Sequence, residues 1–136
     1  MEEIIFYNSN RIPIMRWDDI SLNQTGELHS YIFNVKIRTS IFSVSTLCKV
    51  KIEILSSFKK NLEKIYNTNE YRFKTQFDND DFVIDMNRNK AGIIAVRIHL
   101  TEKYTSNFVD IAYQFDQSFL PELIGMISQI ASLKNN

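Results

Sequence analysis

The chain has 136 residues, 44% of them hydrophobic, with sixteen basic side chains set against sixteen acidic ones. That length suits one domain (residues 1–136) with a self-sufficient core, and that apolar content excludes a disordered chain. Zero net charge argues against a dedicated nucleic-acid binder, whose affinity normally comes from a basic excess.

Cys48 is the only cysteine, so no intrachain disulfide forms. The opening MEEIIFYN places two acids where a secretory leader carries basic residues, and no apolar run approaches the roughly 20 residues of a membrane span. The expectation is a cytoplasmic protein that does not enter the membrane. Three glycines and two prolines leave little room for a flexible linker or a Gly-rich phosphate loop.

In chain order, residues 4–7 and 12–17 read as short strands, and Pro13 predicts that the second lies at a sheet edge. In residues 31–37 the alternation of Tyr31, Phe33, Val35 and Ile37 with polar neighbours predicts a half-buried strand. A turn at residues 38–40 leads into a Val-, Ile- and Thr-rich return strand over residues 41–52. Leu55, Phe58, Leu62 and Ile65 then fall on one helical face, with Ser56 or Ser57 as the expected start and residues 67–69 as the stop. Four more strands follow, at residues 71–77, 82–88, 93–101 and 108–115, joined by short polar turns that favour antiparallel neighbours.

The stretch IAYQFDQSFLPELIGMISQI changes period in its middle. Ile111, Tyr113 and Phe115 still alternate. Asp116 and Ser118 are N-cap types, Pro121 suits a first helical turn, and Leu120, Leu123, Ile124, Ile127, Ile130 and Ala131 form a helical stripe. The terminal helix is therefore expected to fold back over the sheet it leaves, and Gly125 to permit a close approach to a strand. The first helix's Ser57-Phe58, Leu62 and Ile65-Tyr66 have counterparts 61 residues on, in Ser118-Phe119, Leu123 and Met126-Ile127, which raises a two-fold repeat of strands and helix.

The prediction is an α+β fold of mostly antiparallel sheet carrying two amphipathic helices. Chemistry is sparser. Asp78-Asn79-Asp80-Asp81 alternates acids as calcium loops do, but Phe82-Val83-Ile84 follows where further oxygen ligands belong, so a strand-to-strand turn is the simpler reading. His99 belongs to the outward set of its strand with no orienting partner legible, and Cys48 reads as a buried thiol. No catalytic, metal or cofactor site is expected. Trp17 reads as core.

YIFNVKIRTSIFSVS, the helix SSFKKNLEKIY and the junction YQFDQSFLPELIGMI, in that order with a meander between, resemble the WapI type of bacterial immunity protein. The chain departs from that type in opening its first long strand with Tyr31-Ile32, where members carry a Trp-Leu pair. The resemblance implies a non-enzymatic protein that binds and occludes the toxic domain of a wall-associated or secreted toxin, often a nuclease. It carries over no contact residues. From charge alone, Asp78, Asp80, Asp81 and Asp85 are the expected contacts with a basic toxin. The alternative is a protein-binding adaptor or a homodimeric scaffold.

Overall fold

Alternating apolar and polar side chains build β1 (Ile4–Tyr7), β2 (Pro13–Asn23), β3 (Ser30–Arg38) and β4 (Ser43–Lys51), which lie side by side in that order as one antiparallel sheet. The computed structural model describes residues 3–24, 29–78, 81–102 and 104–132. After α1 (Ile52–Asn67), a second antiparallel sheet takes β5 (Arg72–Gln76), β6 (Phe82–Arg88), β7 (Ile93–Thr101) and β8 (Phe108–Asp116), again in chain order. A 3-10 turn (Gln117–Phe119) leads into α2 (Leu120–Ser132). The fold is α+β, with its strands divided between two sheets.

The inner faces of both sheets and the buried stripes of both helices share one hydrophobic core. Trp17 on β2 sits at its centre, fully buried, against Phe33 of its own sheet, Phe58 of α1, Phe77 just past β5 and Phe82 of β6. Rings at these offset and edge-on geometries contribute beyond the area they bury.

β2 is the interior strand between β1 and β3, so the edge position expected from Pro13 is overturned. Pro13 is tolerated because it is the strand's first residue and faces Tyr7 where the β1 register shifts. β2 also runs well past Trp17. A bulge between Asp18 and Ser21, with Asp19 at φ 51°, breaks the alternation and hides the second half of the strand from periodicity.

α1 starts earlier than its serines suggest. Lys51 precedes it in an extended conformation with no side-chain cap, and Ser56 and Ser57 fall inside the helix. The strand runs straight into the helix, and the Ile52 N–H donates to the His29 carbonyl, so the sheet supplies an acceptor a cap would otherwise provide. At the other junction the expectation holds: Asp116 Oδ1 accepts from the Ser118 N–H at 2.8 Å, which also holds that carboxyl below its usual pKa.

α1 packs beside both β4 and β5, and α2 beside α1 and β1 of the first sheet, so α2 does not simply fold back over the sheet it leaves. The Tyr31 hydroxyl on β3 donates to the Ile130 carbonyl of α2. The two halves share one order of elements, and their last strand and helix coincide in another register than the helices alone suggested. Ser43–Lys51 of β4 corresponds to Phe108–Asp116 of β8, 65 residues on, and that offset also carries the buried Leu55, Phe58, Leu62 and Ile65 onto the buried Leu120, Leu123, Ile127 and Ile130. A slip of one helical turn keeps a stripe on the same face, which is why helices compared alone gave 61.

Candidate functional site

The acidic turn stays a turn. The Asp81 N–H donates to the Asp78 carbonyl at 2.9 Å, and the Asp81 carbonyl accepts from Thr101 N–H at 2.7 Å, tying the β5–β6 connection to the end of β7. Asp80, with Asn79, lies outside the described residues. Asp85 lies four positions further along, on the outer face of the second sheet, where Arg72 forks onto it at 2.8 and 3.2 Å and Arg97 stands opposite in register. Its charge is engaged within the sheet, and the Asp85 carboxylate in turn raises the Arg72 pKa. The structure therefore places Asp78 and Asp81 together and sets Asp85 apart from them.

His99 does have an orienting partner. Its Nδ1 lies 2.6 Å from Asp110 Oδ1 on the neighbouring strand, and its Nε2 lies 3.0 Å from Thr101 Oγ1. The sequence hid this because His99 and Asp110 become neighbours only in the β7–β8 register. A hydroxyl, an imidazole and a carboxylate in a row are the elements of a nucleophilic relay. Here they lie on an exposed sheet face. The neighbouring Thr101 and Glu102 N–H groups donate to the Asp81 and Asn107 carbonyls. The arrangement orients the His99 ring between Thr101 and Asp110. Among the described residues no cluster of three or more His, Cys, Asp or Glu is placed to hold a metal, and no helix is long and apolar enough to cross a membrane.

The outer faces of the sheets differ in charge. On the second sheet Arg72, Lys74 and Arg97 stand among Asp85, Asp110 and Asp116. On the first sheet Arg16, Lys36, Arg38, Lys49 and Lys51 outnumber Glu3, Asp18 and Asp19. At the turn end of that face a groove of about 940 Å³ runs between β2, β3 and the start of β4. Ile12, Pro13, Ile14 and Val44 line it together with Arg16, Lys36 and Arg38, and no acidic residue lines it.

Both turns bordering the groove are pinned by their own side chains. Asn8 Oδ1 accepts from the Asn10 and Ile12 N–H groups, and Thr39 Oγ1 from those of Ile41 and Phe42. Ile12 is left 53% exposed and Ile41 88% exposed. The first turn is anchored from behind as well, because Arg11 reaches Glu122 at 2.9 Å and Ser9 N–H donates to the Gln114 carbonyl. Sequence alternation puts Lys36 and Arg38 outward, but the groove itself needs the strand register to exist. No protein-family model, curated protein or solved structure matches the chain.

Proposed function

We propose that the chain is a non-enzymatic immunity protein that binds a toxin domain and occludes it from an open sheet face. One observation carries the reading. Both sheets commit their inner faces to the core and leave broad outer faces to solvent, and among the described residues the one relay-like grouping, Thr101–His99–Asp110, lies on such an outer face. The likeness of FDQSFLP and its flanks to the WapI type of immunity protein supplies the class of partner. Work in the cytoplasm, where a toxin acts on its own producer, fits that class.

The test is a titration of toxin activity with this protein, using a toxin domain from whose growth arrest its co-expression rescues cells. Occlusion predicts an endpoint at a fixed molar ratio, unchanged in His99→Gln, because the imidazole there only orients its neighbours. Full protection at a small fraction of the toxin concentration, lost in His99→Gln, would establish catalytic inactivation and overturn the proposal.

A further inference from the structure

The outer face of the first sheet carries more information than its openness. Lys36 Nζ is 2.8 Å from Asp18 and Arg16 is 3.7 Å from Glu3, so these two cations are partly balanced from outside the groove. Arg38 has no acidic partner among the described residues, and it lines the groove with Lys36 of the same strand and with Ile12 and Ile14. The groove thus offers unspent positive charge and aliphatic surface in one lining, between two turns already held in place.

We infer that this groove receives an acidic, aliphatic-bearing segment of a protein partner. Charge selects the occupant. A second copy docked on the same face would oppose Arg16, Lys36 and Arg38 with themselves, a like-charge arrangement that interfaces avoid. A nucleic acid would find cations but no aromatic side chain in the groove on which to stack a base. A peptide that alternates carboxylates with branched aliphatic residues satisfies both parts of that lining. The inference rests on the binding reading above, though not on the partner being a toxin. It places the contact away from the acidic β5–β6 turn that charge counting in the sequence favours.

The probe is a synthetic pentapeptide, Glu-Ile-Glu-Ile-Glu, blocked at both ends and titrated into the isotope-labelled full chain while amide resonances are followed. Saturable shifts are expected at residues 12–16 and 36–45, weakening as salt is raised. Arg16→Glu with Arg38→Glu should reduce affinity by roughly tenfold or more while leaving the circular dichroism spectrum unchanged, since both side chains are exposed. Absence of saturable shifts, shifts centred on the β5–β6 turn, or equal binding of a lysine-for-glutamate peptide would each overturn the inference. Tighter binding of an oligothymidylate at the same residues would reassign the groove to nucleic acid and overturn it too. A toxin titration that keeps its fixed endpoint while the peptide fails separates loss of this inference from loss of the proposed function.

Discussion

Arg88 occupies a position that alternation assigns to the core side of β6, two residues beyond Met86, and it is only 7% exposed. A guanidinium there would be costly without acceptors. It donates through Nη1 to the Ile65 and Tyr66 carbonyls at 2.8 and 2.7 Å, so it closes the C-terminal end of α1, where unpaired carbonyls and the helix dipole both favour a cation. Arg88→Met keeps most of the apolar stem and removes these bonds. It should destabilise the fold by about 1.5–3 kcal/mol, the range for hydrogen bonds to charged groups. Urea denaturation measures this, and an unchanged midpoint would show that the carbonyls are satisfied without the side chain. The sequence gives the side of the strand on which Arg88 lies. Its purpose becomes visible only when α1 is seen beside it.

Among the elements, α2 carries the sharpest surprise. Gly125, expected to allow a close strand approach, is exposed, and a Cβ built there meets nothing within 4 Å. With helical geometry and open space around it, Gly125→Ala should stabilise the protein by about 0.5–1 kcal/mol, by lowering the entropy of the unfolded chain. A lower melting temperature in that variant would mean the glycine has a role the packing does not reveal. The burial stripes of both helices, the inward sets of β6, β7 and β8, and the Asp116 cap were legible because each rests on a period of 2 or 3.6 and on local capping chemistry. What was not legible breaks or exceeds those periods. The Asp18–Ser21 bulge shifts β2 out of phase, the Ile52 N–H finds its acceptor across the sheet, and Pro13 is excused by an irregularity of β2 itself, which spans two residues, Met15 to Pro13, against the single step from Phe6 to Tyr7 on β1. The site behaves alike: outward Lys36 and Arg38 are readable, their meeting with Ile12 and Ile14 is not, since it joins strands whose pairing the sequence does not state.

At the scale of the whole molecule, the shared core and the helices packed across it make the two halves interdependent. α1 is held by Arg88 of β6 and by the Tyr71 hydroxyl, which donates to Asn61, while α2 is held by Tyr31 of β3 and by Arg11. Each sheet would lose a helix and the facing half of its core if the chain were cut between α1 and β5. Residues 1–69 and 70–136, produced separately, should therefore lack a cooperative thermal transition by circular dichroism. A sigmoidal melt of either fragment alone would show that the halves are self-sufficient. Trp17, at ring-centroid distances of 4.7–6.1 Å from five phenylalanines drawn from both sheets and α1, is also the chain's one tryptophan. The molecule thus carries a built-in optical reporter at the joint between its halves. Its emission is set by whether the joint is closed and dry, so it shifts to the red when the halves part, even while the strands themselves remain paired.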